Sequence, residues 1–119
     1  MIRAFLIFAL LAMPAAAQQQ QTSQAPGAVL RGLDKLSGRT TDFEIKSGGA
    51  ARFGQLDIAL SECRYPAGNR AGDAYAGLQI MESGQAEPVF EGWMIASAPA
   101  LSAMDHPRYD VWVIRCITS

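Results

Sequence analysis

The sequence predicts an all-β fold: a small antiparallel β-barrel or sandwich of about six strands, one short helix before the last strand, and one disulfide. Three observations carry this. Short segments rich in alternating apolar residues recur between glycine- or proline-containing turns. A single proline-initiated segment, Pro99 to Met104, has helical character. The chain's two cysteines, Cys63 and Cys116, stand far apart.

The first segment, "MIRAFLIFALLAMPAAA", lies outside the fold. Arg3 supplies a positive start, Ala4 to Met13 a continuous apolar run, and Ala15 and Ala17 the small-x-small pattern of a signal peptidase site. A signal peptide over 1–17, cleaved after Ala17, is the expectation. The apolar run is shorter than the roughly 20 residues a spanning helix needs. Gln18 stands after the cut where a lipoprotein would have cysteine. Residues 18–27, "QQQQTSQAPG", have too little apolar content to offset their ordering entropy, which predicts a flexible leader. A single β domain is expected over 28–119.

Within that domain, "AVLRGLDKL" runs to Ser37-Gly38 and returns as "RTTDFEI", a hairpin pattern. "SGGA" makes the next turn. "LDIALSEC" follows, with Leu56, Ile58 and Leu60 alternating toward one face. Cys63 breaks that parity. Either Ser61-Glu62 contains a β-bulge or a strand end, or the cysteine faces the other way. "YPAGNRAGD" is the most loop-like stretch, and "AYAGLQIME" resumes as a strand with Ala76, Leu78 and Ile80 on one side. "SGQAEP" turns again, and "VFEGWMIAS" forms a further strand. Pro99 suits a first helical turn, and Pro107 disfavours helical geometry at His106. The last strand is "YDVWVIRCI", whose run Val111 to Ile114 predicts cover on both faces.

Loss of Arg3 with the signal leaves nine of the ten Lys and Arg against eleven Asp and Glu. The mature chain is mildly acidic with dispersed basic residues, which argues against a nucleic-acid partner. It has no transmembrane segment by pattern. An even cysteine count in an exported protein favours a Cys63–Cys116 disulfide. Closing a loop of roughly 54 residues is worth about 4 kcal/mol in the chain-entropy model. Two reduced thiols in a redox or metal role would call for a Cys-x-x-Cys spacing, which is absent.

The chemistry on offer is sparse. The only histidine, His106, lies between Asp105 and Asp110, and one histidine is a poor start for a zinc site. Ser102 precedes His106 by four residues, but Pro107 breaks a shared helical face and no oxyanion hole is visible. "SGGAARFG" fits no phosphate-binding fingerprint, and "GNRAGD" lacks the spacing of a calcium loop. No catalytic residue, metal or cofactor is therefore expected. Trp93 and Trp112 read first as core, though tryptophan and tyrosine also anchor interfaces.

"LDKLSGR", "ARFGQLDI", Cys63, "GWMIASAPALSAMDHPRYDVWV" and Cys116 occur in that order. In this arrangement the chain resembles the alphaproteobacterial domain of unknown function 2155 family. The resemblance implies an envelope location and one domain with two cysteines. It carries no established activity, so it transfers no catalytic role to any residue.

The expected function is a non-enzymatic periplasmic module that contacts an envelope protein or another cell-wall component. The expected contact surface is an exposed patch including some of the candidates Trp93, Leu101, Met104, His106 and Tyr109. The alternative is a small-molecule or metal-binding protein, or an enzyme, using Asp105, His106 and Asp110.

Overall fold

The computed structural model describes residues 21–118. The expected signal segment and residues 18–20 lie outside the described residues. The described residues form eight antiparallel strands: β1 (Thr22–Ala25), β2 (Gly27–Asp34), β3 (Arg39–Lys46), β4 (Ala50–Phe53), β5 (Leu56–Pro66), β6 (Tyr75–Glu82), β7 (Phe90–Ile95) and β8 (Tyr109–Ile117). A 3₁₀ turn, Pro99–Ser102, interrupts the connection from β7 to β8. Its position is the expected one.

The strands divide into two sheets that face one another as a sandwich. The first has the order β1-β5-β6-β7, and β4 pairs with β5 further along. The second has the order β3-β2-β8. This is the expected all-β architecture, in its sandwich form.

The two additional strands arise because the first hairpin bends. The chain leaves the first sheet at Pro26, runs through β2 and β3 in the second, and returns at Ser47–Gly49. The two corners are clasped: Ser47 N–H donates to the Pro26 carbonyl at 2.9 Å and Ser47 Oγ to the Ala25 carbonyl at 2.8 Å. Gly48 takes a φ of +83° there, which a glycine adopts without penalty.

The expected flexible leader over 18–27 needs correction in its described part. Thr22 to Ala25 pair with Pro66 to Cys63 on β5, and Ala25 is buried. The low apolar content is real, but a β-ladder satisfies backbone groups without it. The polar side chains are used as well. Gln24 Nε2 donates to Glu62, and Arg64 donates to Thr22 Oγ1.

The core lies between the sheets. Leu56, Ile58 and Leu60 point inward from β5 as their alternation predicts, opposite Ala28 and Leu30 of β2 and Val111 and Val113 of β8. Ala76, Leu78 and Ile80 of β6 complete the first sheet's inner face. The β5–β6 register shifts between Leu60 and Glu62, so Ser61 is the extra residue of a bulge and Cys63 returns to the core. β8 repeats the device. Val29 pairs with Arg115 and Leu30 with Val113, which skips Ile114 and turns Cys116 inward. The disulfide Cys63–Cys116 then joins one sheet to the other.

One detail of β8 differs from expectation. Val111 and Val113 are buried, but Trp112 and Ile114 on the outer face are only partly covered. The apolar run marks a strand with one buried face and one half-buried face.

Two glycines, one on β2 and one in the β4–β5 turn, make room for aromatic rings. A Cβ on Gly32 would stand 2.7 Å from the Phe53 ring, and one on Gly54 2.5 Å from the Tyr109 hydroxyl. Phe43, Phe53 and Tyr109 then run in sequence, with ring centroids 5.9 and 5.5 Å apart.

Candidate functional site

The connection from β7 to β8 carries most of the residues that sequence singled out. It is tied down at its start by Asp73, whose carboxylate accepts from the Ala74 and Ser97 N–H groups at 2.9 Å and from Ser97 Oγ at 2.5 Å. Partial burial opposes the charge on Asp73, but these three donors outweigh it and hold the carboxyl below the usual carboxylate range.

Further along, His106 is 8% exposed and every polar atom of its ring is engaged. Nδ1 accepts from the N–H groups of Arg108 and Tyr109, both at 3.0 Å. That assigns the ring proton to Nε2, which donates to Glu82 Oε2 at 3.1 Å. The His106 carbonyl accepts from Lys35 Nζ at 2.9 Å. Next to it, Arg108 grips Asp34 through two nitrogens at 3.2 and 3.4 Å and lies over the Tyr109 ring. The Arg108 hydrogen bonds hold the Asp34 carboxyl below its usual range.

His106 is thus a pin between the two sheets. It reaches β6 through Glu82 and the end of β2 through Lys35, and it fixes the first turn of β8.

The expected contact surface needs correction. Met104, His106 and Tyr109 are buried, and only Trp93 and Leu101, 45% and 76% exposed, face solvent. Sequence grouped these residues because Leu101, Met104 and His106 fall in one connecting segment and Trp93 and Tyr109 on the strands at its two ends. The segment instead folds inward over the mouth of the sandwich, where Met104 and Tyr109 join the core.

Asp105, His106 and Asp110 do not converge either. The carboxylate on His106 is that of Glu82, while Asp110 lines a separate shallow hollow of about 280 Å³ with Pro99, Ala100, Ala103 and Trp112. Among the described residues, no group of three His, Cys, Asp or Glu side chains gathers as a metal set. No helix among them is long and apolar enough to cross a membrane.

The most distinctive surface lies elsewhere, on the outer face of the first sheet. Register sets it. Gly77 of β6 stands opposite Trp93 of β7, and Gln79 opposite Glu91. Ala59 of β5 stands opposite Gln79 on the other side. The six-membered ring of Trp93 reaches across Gly77, with Cη2 and Cζ2 3.5 and 3.6 Å from where a Cβ would be. A Cβ on Gly77 would also collide with Ser61 Oγ, which donates to the Gly77 carbonyl at 3.2 Å.

The result is a groove of about 450 Å³, floored by glycine and alanine and walled by Trp93, Gln79 and Glu91. Of these, sequence singled out only Trp93. Gln79 and Glu91 carried no signal, because their meeting depends on strand register.

The domain of unknown function 2155, a family described as uncharacterised proteins conserved in bacteria, matches residues 28–116. The chain belongs to this family. The span it shares with the family includes both cysteines, the His106 pin and the Trp93 groove, while β1 precedes it. An uncharacterised protein of Rickettsia prowazekii (strain Madrid E) is 29% identical over 87 residues, 71% of this chain. The chain spans about 56% of that relative's length. No solved structure matches it.

Proposed function

We propose that this chain is a non-enzymatic binding module of the bacterial cell envelope, exported to the periplasm. It contacts an envelope component through the outer face of the sheet that carries Trp93. The observation that carries this reading is the half-exposed Trp93 indole beside a groove walled by polar side chains. Tryptophan left in solvent at the rim of a concave surface is among the residues most often found anchoring a contact. The apolar segment ending in Ala15-x-Ala17, together with a disulfide, supports export to an oxidising compartment.

The non-enzymatic part rests on His106. Both ring nitrogens are spent on structural hydrogen bonds, and Asp110 lines a separate hollow. Nothing in the arrangement favours the alternative of a ligand or metal centre at Asp105, His106 and Asp110.

The test is crosslinking of the tagged mature protein in its own envelope, followed by mass spectrometry. Folded Trp93→Ala and Leu101→Glu variants are compared with wild type. A component recovered from wild type and lost from Trp93→Ala supports the reading. One retained by both variants moves the contact to another surface.

A further inference from the structure

We infer that the groove beside Trp93 is a saccharide-binding site. The inference rests on the binding-module reading above and adds the class of ligand.

The groove has three chemical parts. Trp93 presents a flat indole, 45% exposed, held against the sheet where Gly77 leaves space for it. Glu91 and Gln79 sit side by side on neighbouring strands, and neither side chain has a hydrogen-bond partner among the described residues. Together they offer two carboxylate oxygens, an amide oxygen and two amide hydrogens. The floor of Gly77, Ala59 and the Gly48–Gly49 turn is too small to fill the space above it. The volume of about 450 Å³ falls among small-ligand sites, roughly 300–1,000 Å³.

Other occupants fit this chemistry poorly. A peptide adding as a strand needs an open sheet edge, and the groove lies on a face. An amphipathic helix needs a broad apolar stripe, whereas Trp93 is flanked by Ser61, Gln79, Glu91 and glycines. A nucleic acid would bring phosphates to a groove lined by Glu91 and by no Lys or Arg. A quaternary ammonium group is held by several aromatic walls, and here there is one.

A pyranose ring suits all three parts. Its weakly positive C–H face lies on the negative face of the indole. Its hydroxyls donate to Glu91 and exchange hydrogen bonds with Gln79. An open groove with no deep pocket admits a ring within a longer glycan.

The test uses the purified, oxidised mature chain. N-acetylglucosamine oligomers, glucose oligomers and solubilised peptidoglycan glycan strands are titrated while the two indole N–H resonances are followed by NMR. The expected result is a saturable shift of the Trp93 indole and the Gly77 and Gly92 amides, with Trp112 unmoved. Glu91→Gln and Gln79→Ala should each weaken binding about tenfold, as loss of one charged or amide hydrogen bond implies. Trp93→Ala should abolish it. Both polar positions are on the sheet surface, so these variants keep the test open if Trp93→Ala fails to fold. The inference is overturned if no saccharide in the series shifts Trp93, or if binding survives the Glu91 and Gln79 substitutions unchanged. If saccharides fail while envelope crosslinking still depends on Trp93, the module binds a protein and only the ligand class is wrong.

Discussion

His106 and Glu82 meet across the mouth of the sandwich, Nε2 to Oε2 at 3.1 Å, although 24 residues separate them in sequence. The contact joins the end of β6 to the segment that leads into β8. With the two backbone N–H groups on Nδ1, it makes the histidine a structural part.

Replacing His106 with alanine should therefore cost stability and leave surface binding intact. The N–H groups of Arg108 and Tyr109 would lose their acceptor, and that of Tyr109 is buried. A loss of about 2 kcal/mol or more is expected. For a domain of this size that is a fall in Tm of roughly 10 °C. A melt of His106→Ala matching wild type would show the pin to be idle.

Acid should loosen the fold through its aspartates. Asp34, Asp42 and Asp73 all have carboxyls held below the usual range. The causes are hydrogen bonds from Arg108 to Asp34 and from Arg31 to Asp42. At Asp73, partial burial pushes the other way and is outweighed by donors from Ser97 and Ala74. A folded-state value below the unfolded one adds stability that is complete above about pH 4 and is lost as pH falls through the folded value. Tm should be flat above pH 5 or so on account of these groups and decline below about pH 4. In Asp73→Asn the decline should be shallower, which a series of melts against pH would read directly.

The glycine under Tyr109 separates two costs that usually travel together. Gly38 and Gly54 both have positive φ, +74° and +56°, but a Cβ on Gly38 meets nothing within 4 Å. Gly38→Ala should cost about 1 kcal/mol from backbone strain alone. Gly54→Ala adds overpacking against the Tyr109 ring, for a further 1–3 kcal/mol or so. Equal Tm losses in the two variants would show that the ring simply moves aside.

Removing the disulfide should weaken the domain by about 4 kcal/mol in the chain-entropy model. Cys63→Ala with Cys116→Ala is the variant to melt, since it leaves no lone thiol. The intact protein should weigh two hydrogens less than its reduced form, and two alkylatable thiols in the native protein would contradict the bond.

The sheet strands were legible wherever an inner face alternates, as with Leu56, Ile58 and Leu60. Parity marked Ser61-Glu62 as the place where the count could slip, and only the register of β5 on β6 decides that it does, so that Cys63 faces the core. β1 and β4 were not legible. Each is a four-residue continuation of a neighbouring strand around a corner, held by backbone pairing that side-chain pattern does not record. The site was read least well. Buried Met104 and Tyr109 have the composition of a contact patch, and only tertiary packing decides which way they turn. Glu82 and the Gln79–Glu91 pair depend on contacts between separate strands, which no local spacing encodes.

The cross-sheet cystine also bears on how the protein matures. Cys63 emerges 53 residues before its partner, so covalent closure must wait until β8 has been delivered and docked against β2. The chain's two cysteines allow one intramolecular pairing. An oxidant therefore suffices, with no wrong bond to reshuffle, and the last strand to arrive is the one that locks the sandwich.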